Sequence, residues 1–211
     1  MPQMINLALL FSGSGRTLEN LQQLINQGRL DARIAIVVSS KADAYGLQRA
    51  QQHGIDAVAV PRKDYDSLAA FNDAINDVLS RYDIDLVVLA GFLSLYCPPP
   101  HLAGRVMNIH PALLPAFGGK GLYGDRVHRA VIESGAKVSG CTVHFADEHY
   151  DQGPIILQKA VPVEDDDTVE SLAARVFEAE CELYPKAIQL YAENRLVVEN
   201  RRVRIRPLTP T

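Results

Sequence analysis

Ile5-Asn6-Leu7-Ala8-Leu9-Leu10-Phe11 runs into Ser12-Gly13-Ser14-Gly15-Arg16-Thr17, after which Leu18, Leu21, Leu24 and Ile25 recur on one helical face until Gly28. A short apolar run, a polar turn and a segment of helical period make one strand-turn-helix unit. The unit repeats. Ile34 to Ser39 predicts a strand, Tyr45 to His53 a helix closed by Gly54, Ala57 to Val60 a strand, and Leu68, Phe71, Ile75, Val78 and Leu79 the apolar face of another helix. Leu86-Val87-Val88-Leu89-Ala90 is apolar on both faces, the mark of a parallel strand covered by helices on either side. The alternation predicts an α/β fold with a doubly wound, mostly parallel sheet, whose ligands bind beyond the carboxyl ends of the strands.

Beyond Val106 to Ile109, a further strand, the texture changes. Pro111 to Gly124 is rich in proline and glycine (Gly118, Gly119, Gly121, Gly124), and so long a connection without periodicity is usually functional. Val127 to Ser134 reads as a short helix, Ser139 to Phe145 and Ile155 to Val161 as strands, and Val169 to Tyr191 as a long helix opened by the Asp165 to Asp167 turn. Leu196 to Ile205, turning at Glu199-Asn200, predicts a short C-terminal hairpin.

The 211 residues carry 21 Lys+Arg against 25 Asp+Glu, a net charge of −4, and 47% are hydrophobic. This composition suits a folded domain with a sizeable core and excludes global disorder. It supplies no basic footprint for nucleic acid or an anionic membrane, so any phosphate is bound locally. The longest apolar stretches fall short of a membrane span, and no basic leader with a cleavage site precedes them. Cys97, Cys141 and Cys181 form an odd set without CxxC spacing, which argues against a disulfide framework or a structural zinc site and makes the cytoplasm the expected compartment.

Three constellations can carry chemistry. Gly13, Ser14, Gly15, Arg16 and Thr17 sit where a strand passes into a helix; glycines let a ligand approach the backbone, the helix start offers unpaired N–H groups, and Arg16 adds charge. The loop matches neither GxGxxG nor a Walker sequence, and it would also serve as a plain turn capped by Ser14 or Thr17. Met107-Asn108-Ile109-His110-Pro111 places Asn108 and His110 on one face at a strand end, an amide and an imidazole suited to a developing oxyanion. His144-Phe145-Ala146-Asp147-Glu148-His149-Tyr150-Asp151-Gln152-Gly153-Pro154 supplies carboxylates between two strands. Asp147 and Glu148 read as a solvated turn, whereas Asp151, fixed by Gly153-Pro154, could pair with His110 and relay a proton. His144 and His149 lack metal-site spacing, and no metal is expected.

Met107 to Pro115, His144-Phe145, Asp151 to Gln158, Ser39 to Leu47, Val87 to Phe92 and Glu180 ahead of Tyr184-Pro185 together resemble the glycinamide ribonucleotide transformylases, within the 10-formyltetrahydrofolate-dependent formyltransferase family. The Asn-x-His-Pro-x-Leu-Leu-Pro segment belongs to that superfamily as a whole. A methionyl-tRNA formyltransferase would carry an additional C-terminal domain and the usual formyltetrahydrofolate hydrolase an N-terminal regulatory domain, and neither is expected in 211 residues. The resemblance implies a single formyltransferase-like domain over 1–211, with a phosphate-binding half (1–105), a catalytic and folate-binding half (106–195) and a tail (196–211). It implies that Gly13, Ser14, Gly15, Arg16 and Thr17 hold a substrate phosphate, that Glu180 faces the glycinamide amine, and that the folate lies against Phe92, Leu93 and the backbone from Ala146 through Asp147 to Asp151. Asn108, His110 and Asp151 would be the catalytic trio. Two positions depart from the family pattern: Arg16-Thr17 replaces the usual Ser-Asn of the glycine loop, and Ser94 stands where an arginine commonly follows the Gly-Phe of the folate wall.

The implied reaction is direct formyl transfer from 10-formyltetrahydrofolate, as cosubstrate, to the amine of glycinamide ribonucleotide in purine biosynthesis, with no metal and in a monomer or homodimer. Asn108 and a protonated His110 would stabilise the oxyanion while Asp151 keeps His110 charged and moves the proton. The alternatives are 10-formyltetrahydrofolate hydrolysis, formylation of another phosphorylated amine, and, in a different class, a noncatalytic folate or nucleotide sensor.

Overall fold

Ile5, Leu7, Leu9, Leu10 and Phe11 bury almost completely, as a strand covered on both faces requires. This is β1 (Ile5–Phe11) in the computed structural model, which describes residues 4–208. The elements that follow are α1 (Arg16–Asn26), β2 (Ala32–Ser39), α2 (Tyr45–Gln52), β3 (Ala57–Ala59), α3 (Leu68–Leu79), β4 (Leu86–Leu89), β5 (Val106–His110), α4 (Asp125–Glu133), β6 (Val138–Phe145), β7 (Ile155–Pro162), α5 (Val169–Ala192), β8 (Leu196–Glu199) and β9 (Arg202–Ile205). Strands and helices fall where the apolar pattern predicts them, with ends moved by one or two residues. Short 3₁₀ turns at Arg62–Asp64 and Pro100–Leu102 carry no such pattern and were not expected.

The chain divides into two compact units, one through Met107 and one from Asn108, so the boundary falls inside β5. In the first unit the strand order is β3-β2-β1-β4. β1 runs parallel to both β2 and β4, and β2 parallel to β3, which is the α/β arrangement that the alternation implies. In the second unit β6 and β7 pair antiparallel over most of their length, β9 joins β7 in parallel, and β8 closes the hairpin antiparallel to β9. The pairings given for the first unit are all parallel, whereas the second unit mixes antiparallel and parallel pairs. The C-terminal hairpin forms as expected, and residues 209–211 of the tail lie outside the described residues.

Close backbone packing at the end of β1 shapes the turn into α1. Gly15 is the α1 N-cap in the left-handed conformation (φ 73°), and no side chain caps the helix, so neither Ser14 nor Thr17 plays that part. A Cβ on Gly15 would lie 2.7 Å from the Gly46 Cα, and one on Gly46 would lie 2.5 Å from the Phe11 ring. The two glycines let α1 and α2 meet against β1, and Gly46 N–H donates to the Gly13 carbonyl at 3.1 Å. Neither obstacle is the flexible end of a side chain. Gly46→Ala should therefore cost about 1–3 kcal/mol of overpacking. At roughly 2–4 °C per kcal/mol for a chain of this size, thermal unfolding should show a clearly lowered midpoint. An unchanged midpoint would mean that the α1–α2 contact yields without strain.

Candidate active site

In the first unit, the carboxyl ends of β1, β2 and β4 gather three loops. Buried Ser12 joins them: its Oγ lies 2.6 Å from Ser40 Oγ and accepts from Leu93 N–H at 2.9 Å, while its own N–H donates to the Gly91 carbonyl. The glycine loop thus shares a framework with the segment carrying Phe92 and Leu93. Gly13 and Ser14 are exposed, Thr17 is half-buried, and Arg16 stands exposed as the first residue of α1. Phe92 stacks on buried Phe71, with centroids 6.1 Å apart and planes 6° apart, and Leu93 is 39% exposed beside it. Asn72 anchors the rest of that segment, donating to the Leu95 carbonyl and accepting from Cys97 N–H.

In the second unit, β5 presents Asn108 and His110, and the turn after β6 presents Asp151. The Asp151 side chain is 10% exposed, and its backbone is held at φ 57°. His110 Nδ1 lies 3.4 Å from Asp151 Oδ2, Asn108 Nδ2 donates to Asp151 Oδ1 at 3.4 Å, and Gly119 N–H donates to Oδ2 at 2.9 Å. His110 Nε2 meets the Phe117 carbonyl at 2.8 Å. The long connection between β5 and α4 therefore closes over the cluster with its own backbone. Its start is tied down by Thr142, which donates to the Ala112 carbonyl and accepts from Leu114 N–H, and by Gln158, which donates to the Leu114 carbonyl.

Burial sets the electrostatics. It pushes the His110 imidazole below its ordinary pKa, against the Asp151 charge and the Phe117 carbonyl, which favour the cation. The expectation of a resting, protonated His110 is corrected accordingly: desolvation outweighs the carboxylate. Burial alone would raise the Asp151 carboxyl, but the Gly119 N–H and the His110 ring beside it hold the group below the usual range, while His144 Nε2, 3.7 Å away, stands beyond hydrogen-bond reach. The carboxylate stays ionised. Cys141 is fully buried with its thiol pushed up to about 12 by burial and by nearby Glu180, so it is an inert core residue.

The remaining candidates also belong to the second unit. Asp147 Oδ1 accepts from His149 N–H, an Asx turn, and Ala146 is half-buried beside it. Glu180 lies half-buried in α5. A cleft of about 450 Å³ is lined by Leu114, Gly118, Gly119, Tyr150 and Asp151, with Arg201 of the β8–β9 turn donating to the Gln152 carbonyl at its edge. Among the described residues, no group of three His, Cys, Asp or Glu is arranged to hold a metal ion.

His144 joins this cluster without having been singled out for it. Its Nε2 lies 3.0 Å from Asn108 Nδ2, and its Nδ1 lies 2.9 Å from the Phe145 carbonyl. The register of β6 against β7 shifts between Val143 and His144, which re-aims the side chain. Gly153 accommodates that bend, since a Cβ there would lie 1.7 Å from the Phe145 carbonyl oxygen. An Asn-x-His strand followed by a second His-bearing strand, with His144-Phe145 among the stretches that carry the resemblance, was the available sign.

Residues 5–188 match the family described as formyl transferase. The chain belongs to that family. This formyl transferase chain is 40% identical over 195 residues to the phosphoribosylglycinamide formyltransferase of Haemophilus influenzae, with 92% of this chain and 90% of that protein covered. It is equally 40% identical to the chloroplastic phosphoribosylglycinamide formyltransferase of Vigna unguiculata, where 90% of this chain spans 62% of the relative's length. The structure superposes on glycinamide ribonucleotide transformylase 1 from Symbiobacterium toebii with a TM-score of 0.89 at 47% identity, covering 97% of this chain and 95% of that one.

The formyl transferase fold also buries His128 on α4, with Nδ1 unpartnered and its pKa lowered, chiefly by burial. His110 and His128 are therefore both harder to protonate in the folded protein than in the unfolded chain. As pH falls through about 6.5 the unfolded state takes up protons first, so stability declines until the folded-state imidazoles titrate in turn. The thermal midpoint should fall between pH 8 and pH 5, with a shallower decline in His128→Gln. A midpoint flat across that range would show that neither imidazole is held neutral.

Proposed function

We propose that this chain transfers a formyl group from 10-formyltetrahydrofolate to the amine of glycinamide ribonucleotide, a step of purine biosynthesis. The observation that carries the reading is the gathering of Asn108 and His110 around the buried Asp151 carboxylate in a member of the formyl transferase family. The printed names of its relatives support the same acceptor. In this reading the first unit binds the phosphate at Gly13, Ser14, Gly15, Arg16 and Thr17 and lays the folate along Phe92 and Leu93. The second unit carries the chemistry, receives the folate along Ala146, Asp147 and Asp151, and faces the amine with Glu180. Cys97, Cys141 and Cys181, none of them in a disulfide among the described residues, accord with a reducing compartment, the cytoplasm.

The amine lone pair attacks the formyl carbon, forming the new N–C bond and moving the carbonyl electrons onto oxygen. Asn108 donates to that oxyanion, and His110, with an oxygen acceptor facing each ring nitrogen, becomes cationic while the oxyanion lasts by taking through Asp151 the one proton that the amine gives up. Asp151, ionised at rest, accepts the proton that the amine loses. The intermediate collapses by breaking the bond to N10 of the folate, which receives the proton. Formylated glycinamide ribonucleotide and tetrahydrofolate leave.

Consumption of 10-formyltetrahydrofolate, followed by absorbance, should require glycinamide ribonucleotide; equal consumption without it would turn the reading to hydrolysis. Asp151→Asn removes the proton carrier and should lower kcat by at least about 10². Because the side chain is nearly buried, its thermal midpoint should fall as well, and near-normal turnover would sink the assigned role. Arg16→Ala removes a charge-assisted contact worth about 1.5–3 kcal/mol when unsolvated, so from this exposed position KM should rise by roughly tenfold or less with kcat little changed. The dephosphorylated nucleoside is the control. A mutation that weakens both acceptors equally would show that Arg16 does not read the phosphate.

A further inference from the structure

Resting on the proposed reaction, we infer that His144 is a positioning residue: it sets which way the Asn108 amide faces and leaves one amide N–H for the substrate oxygen. The argument begins at the other end of the imidazole. Nδ1 lies 2.9 Å from the Phe145 carbonyl, an acceptor with no proton to offer, so Nδ1 carries the hydrogen. In the neutral ring Nε2 is then bare, and a bare ring nitrogen accepts only from a donor. The group 3.0 Å away is the amide of Asn108, and only its nitrogen end can donate.

Asp151 enforces the same orientation. Its Oδ1 lies 3.4 Å from Asn108 Nδ2 and 3.7 Å from His144 Nε2; the second separation is beyond hydrogen-bond reach, so the donor facing this oxygen is the amide. Turning the amide over would set its carbonyl oxygen against both a bare nitrogen and a carboxylate oxygen. In a site this buried, with His144 only 2% exposed, two such repulsions select one orientation.

The two amide hydrogens are not equivalent. The one on His144 sits at ordinary hydrogen-bond distance, whereas the one toward Asp151 is at the long limit, and Asp151 has Gly119 N–H and His110 as other partners. The long bond is the one that releases. His144 keeps the amide anchored while the second N–H turns to the developing oxyanion, so the donor is oriented before charge appears. The β6–β7 register shift and Gly153 beneath the Phe145 carbonyl hold the imidazole in place for this task.

Two measurements test the inference. Long-range ¹H–¹⁵N NMR of the wild-type protein at neutral pH should show His144 as the Nδ1–H tautomer with a bare Nε2 whose shift moves in Asn108→Ala; an Nε2–H tautomer or an imidazolium would overturn the inference, whether or not the protein turns over. The kinetic test is a double-mutant cycle with His144→Phe, Asn108→Ala and the pair, with His144→Gln as the variant that retains an acceptor. His144→Phe should lower kcat by about tenfold or more, short of the roughly 10²–10³ lost on deleting a donor outright, with KM for both substrates within about threefold. In the Asn108→Ala background the same substitution should cost little more, and His144→Gln should recover part of the loss. Independent, multiplying losses would overturn the inference while leaving the formyl-transfer reading standing. Wild-type protein that transfers no formyl group would overturn that reading, and the tautomer would still decide the orientation of Asn108.

Discussion

A carboxylate with a tenth of its side chain exposed cannot remain ionised unless donors replace the water it has lost, and Asp151 organises the second unit around that demand. The Gly119 N–H, the Asn108 amide and the His110 ring all turn to it. Each of those groups in turn brings a segment: Gly119 the long connection before α4, and Asn108 and His110 the end of β5. The positive φ of Asp151 and the glycine two residues on allow the chain to bring the carboxylate inward instead of leaving it on a polar turn. A single buried charge thereby fixes the positions of residues more than forty apart in sequence.

The same burial sets the chemistry that the cluster can perform. An imidazole in water would take its charge freely; His110 has that charge opposed by desolvation and favoured by two oxygen acceptors, so the balance responds to whatever enters. In the proposed reaction, a substrate that brings a proton to Asp151 and an oxyanion to His110 changes both sides of the balance at once. Such a site stabilises charge only while charge is being made.

Most of the first unit was legible because its signals are local and redundant. β1 and β4 are apolar on both faces, α1 and α3 carry their apolar residues at helical spacing, and glycines punctuate each turn. What could not be read there was the reason for particular glycines: Gly15 and Gly46 lie 31 residues apart, and their backbone contact leaves no periodic trace. In the second unit, the pairing of Asn108 with His110 could be read from strand alternation, whereas the depth of Asp151 could not. Its neighbours Asp147, Glu148 and Gln152 are those of a solvated turn; Gly153-Pro154 marks Asp151 as the one to pair with His110, but how deeply it is drawn in rests on tertiary contact. His144 escaped for the same reason, since a single-residue register shift is invisible to a pattern that counts in twos.

Arg201 adds an order of events. Its guanidinium supports the Gln152 carbonyl, and Arg202 beside it pairs with Ile155, so the turn that carries Asp151 leans on residues about fifty positions later in the chain. During synthesis the glycine loop after β1 and the parallel strands around it emerge first and can pack from their own local contacts. The carboxylate turn lacks its last support until the hairpin has left the ribosome. A growing polypeptide can therefore complete its first unit well before the Asp151 turn has its last support, which arrives only when residues 201 and 202 have cleared the ribosome.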